Sequence, residues 1–517
     1  MALKLILVLL FFGVMVGIGL YCRRHATDVN GFVLGGRSVG PWLTAFAYGT
    51  SYFSAVVFVG YAGQFGWKYG IAATWAGIGN ALIGSLLAWV ILGRRTRIMT
   101  QHLDSATMPE FFGKRFGSPA LKIAASIVTF IFLIPYTASL YNGLSRLFGM
   151  AFNIDYAVCV VVMAVLTGVY IIAGGYMATA INDFIQGIIM IFGICAVIVA
   201  VLKSQGGFLA ALNGLSQVTD EAVSSSPGVF NSFFGPDPIN LLGVVILTSL
   251  GTWGLPQMVQ KFYAIKSEKA VGMGTIVSTA FAFIVAGGCY FLGGFGRLFA
   301  DKMEIINGLP GGSYDSVIPT MLSGLPDLLI ALVVILVLSA SMSTLSSLVL
   351  TSSSTFTLDL IKGHLVKDLD EKKQVFIMRC LIVVFILISV VLAIVQYRSS
   401  VTFIAQLMGV SWGALAGAFL APFLYGLYWK RTSKIACWCS FIFSTVFMLA
   451  VISPLKTMLP ALLQSPINAG AFCMIVGLVI VPVISLFTPK PDRKLVDNAF
   501  ACYDQQVTVR QRRSLGE

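Results

Sequence analysis

Residues 339–360 read SASMSTLSSLVLTSSSTFTLDL, and the fold turns on how this stretch is read. It follows the apolar run LLIALVVILVL (328–338) without a break, so hydropathy makes it the second half of a membrane-spanning helix. Yet hydroxyl residues stand where a lipid-facing helix carries leucine. Wound at about 100° per residue, Ala340, Ser343, Thr344, Ser347 and Thr351 fall on one face, with Ser346 beside Ser343. A face of hydroxyls suits a small hard cation such as Na+, which takes oxygen ligands. Serine and threonine in membrane helices also bond their own i−4 carbonyls or join two helices. What surrounds the stretch favours the ion.

The chain is 57% hydrophobic and only 11% charged over 517 residues, with a mean hydropathy of +0.90. A soluble domain carries about 25% charge, so this is an all-α integral membrane protein. Thirteen apolar segments are expected, near 4–21, 41–66, 71–93, 120–147, 156–173, 180–202, 238–256, 271–297, 327–358, 375–396, 400–428, 434–453 and 468–488. The first lacks a cleavage site and is followed by Arg23 and Arg24, the charge order of an uncleaved span with its N-terminus outside. From that start, alternate loops collect the basic residues: Arg23, Arg24 and Arg37; Arg94 to Arg115; Lys261 to Lys269; Lys362 to Lys373; Lys430 to Lys434. The tail adds Arg510, Arg512 and Arg513. The net charge of +13 therefore orients the protein in a plasma membrane, C-terminus in the cytoplasm, and does not recruit nucleic acid.

Nine cysteines form no disulfide or metal pattern, and His25, His102 and His364 all fall in basic loops. With no histidine in the bilayer, neither histidine-base nor histidine-metal catalysis is available there, which counts against a membrane-embedded hydrolase. The chain is not read as an enzyme.

Two spans are interrupted. The segment 41–66 carries Gly49-Thr50-Ser51-Tyr52-Phe53-Ser54 at its middle, and the span after 238 ends LTSLGTWGLPQ, with Gly251, Gly254 and Pro256. Interrupted helices expose backbone carbonyls, tolerated only beside a cavity, and mark transporter binding sites. They open two blocks of five spans, 41–202 and 238–428, the layout of a LeuT-type five-plus-five inverted repeat. Residues 1–22 form an extra N-terminal helix, 203–237 an external loop, 434–488 two further helices and 489–517 a cytoplasmic tail. After the glycine pair 174–175 comes Asp183, the one acidic residue well inside an expected span, whose partner is expected to be the hydroxyl face around Ser343.

Several motifs together resemble the sodium/solute symporters, the family of the proline, pantothenate, sialate and sodium–galactose carriers. They are FVLGGRSVGPW (32–42), GGYMATAINDFIQG (174–187), SASMSTLSS (339–347) and GLYWKR (426–431). The resemblance runs from about residue 31 to 435. It implies a central sodium site made of the Thr50, Phe53 and Ala340 carbonyls with the Ser343 and Thr344 hydroxyls. Similarity to the sialate branch implies a second sodium at Asp183, Ser343, Ser346 and Ser347.

The solute pocket departs from each branch: Val57 stands for the galactose carriers' glutamine, Thr248 and Thr252 for the proline carriers' aromatic pair, and Pro135 for the sialate carriers' arginine. The pocket is expected between the breaks, lined by Ser54, Phe58, Trp75, Tyr136, Thr248, Trp253 and Gln257. The expected function is sodium-coupled import of a small hydrophilic solute by alternating access, a carboxylate-bearing one ahead of a sugar. Proton coupling in the same fold is the alternative. The solute, sodium and the lipid bilayer are the expected partners.

Overall fold

A computed structural model describes residues 2–23, 26–221, 223–224, 226–306, 308–366, 369–399 and 404–503. Arg24, His25, Lys367, Arg510, Arg512 and Arg513 of the sequence analysis, and the first four residues of the span at 400–428, lie outside them. The described chain is helical almost throughout. The main helices are α1 (Ala2–Cys22), α2 (Pro41–Tyr52), α3 (Val56–His102), α4 (Pro119–Phe152), α5 (Tyr156–Ser204), α6 (Pro238–Gly254), α7 (Pro256–Ala264), α8 (Glu268–Gly293), α9 (Asp327–Thr355), α10 (Glu371–Ser399), α11 (Ile404–Tyr428), α12 (Lys434–Ile452) and α13 (Pro466–Phe487). Among the described residues, nine helices are long and apolar enough to cross a membrane, or ten if the bent pair α6–α7 is one span. The expected thirteen segments are therefore not thirteen separate helices. Two expected pairs run on as single elements, α3 and α5, which turn at glycines.

Those turns have a local cause. Gly70 sits at φ +61, ψ −141 within α3, and Gly175 at φ +57, ψ −151 within α5, a region that a side chain makes costly. At Gly175 a Cβ would also lie 2.9 Å from the Phe32 carbonyl oxygen. The glycine pair read as a tight turn is one.

The two breaks share one backbone conformation. Phe53, between α2 and α3, and Leu255, between α6 and α7, both sit at φ −83, ψ 121. At Leu255 the cause is Pro256, which lacks an N–H and pushes its predecessor into extended backbone. At the first break the Ser54 hydroxyl accepts the Val56 N–H at 3.2 Å and restarts the chain as a helix. The α6–α7 pair bends by 45°.

Helix α9 lies at the centre, packed against α5, α4, α10, α2 and α7, and every residue from Val333 to Thr355 except Ile335 is buried. On its far side α4 joins α11, which packs against α6, α12 and α13. The expected basic loops meet on one face. There Arg37 donates to the Ser105 carbonyl at 2.7 Å and to the Tyr263 carbonyl at 3.3 Å, and Arg115 donates to the Gly426 carbonyl at 2.8 Å. On the opposite face Arg297 pairs with Asp220 at 2.8 Å. Lys261, assigned by sequence to the basic loops, is not among them. It is 2% exposed, inside the bundle on α7.

Candidate functional site

The first break removes the Thr50 and Phe53 carbonyls from the helical ladder, because the residues that would bond them lie beyond an extended turn. Both point at α9. The Ser343 hydroxyl lies 3.0 Å from the Thr50 carbonyl oxygen and 3.0 Å from that of Ala340. Thr344 Oγ1 lies 3.2 Å from Thr50 O, 3.3 Å from Phe53 O and 3.1 Å from Ala340 O. Three carbonyls and two hydroxyls thus converge. Hard cations hold oxygens at ~2.3–2.6 Å, which puts neighbouring ligands ~3–4 Å apart, close to these spacings. Each hydroxyl has one proton for several carbonyls and keeps lone pairs for a cation.

The residues implied for a second ion are arranged otherwise. Ser346 bonds back along its own helix to the Ser343 carbonyl at 2.8 Å. Ser347 accepts from Lys261 Nζ at 2.9 Å, and the Asp183 carboxylate lies 3.9 Å from the same nitrogen. Asp183 is wholly buried, as expected for a functional carboxylate in a span, but its partner is an ammonium group and not the hydroxyl face. Nor is it the only buried acid. Asp359, where α9 continues toward the basic face, is also wholly buried; it accepts from Thr107 at 2.6 Å and pairs with Lys122 at 3.2 Å. Outside the spans, burial raises the Asp315 carboxyl above its ordinary range, and Arg146, 3.8 Å away, opposes that shift.

Of the expected pocket residues, the structure leaves some at the breaks and commits others. Ser54 and Phe58 are buried at the first break. Tyr136 is buried with Ser54 and the Trp412 indole as polar neighbours. Gln257, the second residue of α7, is buried with neither amide atom hydrogen-bonded among the described residues. Thr248 spends its proton on the Val244 carbonyl at 2.8 Å. Trp253 donates to the Ile83 carbonyl at 2.9 Å, and Trp75 to that of Phe233 at 2.9 Å, in the 203–237 segment. Trp75 therefore braces that segment and does not turn in between the breaks.

Sequence reasoning missed an aromatic cluster. Trp412 of α11 lies across both breaks, 5.9 Å from the Tyr52 ring and 6.0 Å from the Tyr136 ring. It fits against Gly251 of α6, where a Cβ would come within 2.4 Å of the indole. The Tyr52 hydroxyl also has that of Tyr290 as a neighbour. Above this cluster a cavity of ≈ 1260 Å³ opens toward the opposite face, reaching Gln64, Phe65, Pro135, Val244 and Val410. A polar stripe on α7 was legible in principle: Gln257, Gln260 and Lys261 share a face at helical spacing.

Residues 32–442 match the model of a family described as the sodium:solute symporter family. The chain belongs to that family. Its members are secondary transporters rather than enzymes, and this symporter is a multi-pass membrane protein of that kind. The osmoregulated proline transporter OpuE of Bacillus subtilis (strain 168) is 28% identical over 428 residues, 82% of this chain and 84% of that one. A sodium/proline symporter of Staphylococcus aureus (strain JH9) is 28% identical over 498 residues, 94% of this chain and 93% of that one. A Na+-coupled sialic acid symporter, solved in a substrate-bound outward-open state, shares the fold. Its TM-score is 0.76 at 16% identity, covering 95% of this chain and 98% of that chain.

Proposed function

We propose that the symporter imports a small carboxylate-bearing solute, L-proline first among the candidates, with sodium bound at the five oxygens of Thr50, Phe53, Ala340, Ser343 and Thr344. The convergence of those oxygens carries the reading. Sodium there bridges the first broken helix to α9, steadying the arrangement that receives the solute. Coupling is then the difference in affinity between conformations.

The solute sits beneath the cavity, between the breaks, against Tyr52, Tyr136 and Trp412, with the Gln257 amide free to orient it. A carboxylate suits the place because two helical segments begin there, after Ser54 and at Pro256, and helix N-termini carry partial positive charge. The proline-transporting relatives support the same solute class.

The basic face is the cytoplasmic one by the positive-inside rule, and the cavity then opens outward. Dividing α3 and α5 at their glycine turns, and counting α1 and the broken pairs, gives thirteen passes with the N-terminus outside. The matching breaks at Phe53 and Leu255 head two five-span repeats of opposite orientation.

Uptake of radiolabelled L-proline into right-side-out vesicles tests the coupling. It should require external sodium and collapse when choline replaces sodium at fixed pH. Equal uptake in choline, driven by a pH gradient, would overturn sodium coupling. The solute class is tested on purified protein by melting in sodium against amino acids, sialates, other organic acids and sugars. Stabilisation by sugars alone would remove the carboxylate.

A further inference from the structure

Lys261 lies on α7, the second half of the second broken helix, and only 2% of its surface is exposed. Its ammonium nitrogen is 2.9 Å from Ser347 Oγ, 3.9 Å from Asp183 Oδ2 and 5.0 Å from the centre of the Tyr176 ring. Two helices, α5 and α9, thus surround one buried positive charge with a carboxylate, an aromatic face and a hydroxyl. The hydroxyls extend the arrangement. Ser347 Oγ is 2.8 Å from Ser51 Oγ, and Ser51 Oγ is 2.5 Å from the Ala47 carbonyl. A hydroxyl has one proton and an ammonium only donates, which fixes the direction: Lys261 to Ser347, Ser347 to Ser51, Ser51 to Ala47.

We propose that the Lys261 ammonium is a built-in second cation: it fills the place between Asp183 and Ser347 where similarity to the sialate branch implies a second sodium. The symporter therefore binds one sodium per chain. This rests on the sodium reading of the central site.

The geometry carries it because the four implied donors are already engaged. Ser343 faces Thr50 and Ala340 in the central cluster, and Ser346 bonds along its own helix. Ser347 and Asp183 face the ammonium. A sodium placed among them would meet a fixed positive charge with one carboxylate to balance two cations, in a site where charges are poorly screened. The lysine is also well anchored. Its neighbour Gln260 accepts from Thr351 at 2.7 Å and donates to the Val33 carbonyl at 3.0 Å, which holds this face of α7 against α9. Ser347 lies one helical turn beyond Ser343, roughly 6 Å along α9, so the tethered cation and the transported one occupy successive turns of the same helix. The tethered charge belongs to the chain and is never released to the cytoplasm.

The test needs no knowledge of the solute. Equilibrium binding of radioactive sodium to purified full-length protein in lipid nanodiscs, with choline keeping ionic strength constant, gives ions per chain at saturation. The wild type should bind one, and Ser343→Ala should weaken that ion at least tenfold. Lys261→Ala removes the ammonium but leaves Asp183 and Ser347, and should bind two. Adding Asp183→Asn to Lys261→Ala should return the count to one. Two ions in the wild type, or one in both wild type and folded Lys261→Ala, overturns the tethered cation and leaves the central site standing. No bound sodium in either overturns the sodium reading and this inference with it. Should Lys261→Ala not give monodisperse protein, Lys261→Thr serves in its place, and two ions in the wild type would be decisive without any variant.

Discussion

Ser343 and Thr344 differ from the other hydroxyl residues of their helix in what their oxygens meet. They face carbonyls of another helix as well as their own, whereas among the described residues Ser353 and Ser354 bond to Leu350 and Thr351 within α9. Removing a ligand from a dehydrated cation resembles leaving a buried polar group unpaired, about 1–3 kcal/mol. Ser343→Ala or Thr344→Ala should therefore lower apparent sodium affinity roughly tenfold to a hundredfold, read from the sodium dependence of uptake or of thermal stabilisation. Ser353→Ala and Ser354→Ala should each stay within a few-fold of wild type. Equal losses at all four positions would mean that hydroxyls serve helix packing in general and hold no ion.

The broken helices depend on neighbours that fit closely. Gly254, the last residue of α6, faces backbone: a Cβ would stand 2.8 Å from Ala416 Cα and 2.8 Å from the Leu420 nitrogen of α11. Backbone cannot rotate aside as a side chain can, so Gly254→Ala acts as overpacking, typically about 1–3 kcal/mol. It should lower the melting temperature and the folded yield. Gly272, on α8, has nothing within 4 Å of its Cβ position. There alanine only gains helix propensity, about 0.5–1 kcal/mol, and the melting temperature should hold or rise. A Gly254→Ala protein that melts with the wild type would show that α6 and α11 can part at this point without loss. The same closeness places Trp412 against Gly251, so the aromatic cluster at the breaks is set by the meeting of α6 and α11.

At the scale of the molecule, the two faces are chemically unlike. Arginines bonded to carbonyls tie the basic face together, and the cavity opens on the other. In a cysteine-free background, Lys456→Cys beside that cavity should react with a membrane-impermeant maleimide on intact cells, while Arg493→Cys on the basic face should react only after permeabilisation. The reverse pattern would invert the orientation. A single transported sodium also limits the drive: each charge crossing the membrane is worth about 2.3 kcal/mol per 100 mV. With Lys261 as a resident charge, the cycle draws on one such increment when the solute is neutral overall.

Some of this could be read along the chain, because the cause is local. Pro256 breaks a helix whatever surrounds it, the Gly174-Gly175 pair permits a reversal, and hydroxyls at helical spacing within an apolar run mark α9 as facing something polar. Net charge by loop likewise follows from sequence order, but it put Lys261 in a loop, and the structure buries it. That lysine stands between span and loop in the sequence. A lysine there can reach out to solvent on its long stem or turn inward, and the choice depends on compensation. Its compensating groups are Asp183 on α5 and Ser347, 86 residues away on α9. The same holds for Trp75 and Trp253, whose indoles are claimed by carbonyls 158 and 170 residues distant, and for Trp412, whose place across both breaks exists only once α11 meets α6. Backbone conformation is decided by neighbours in the chain. Where a buried charge or an indole finds its partner is decided by which helices pack together.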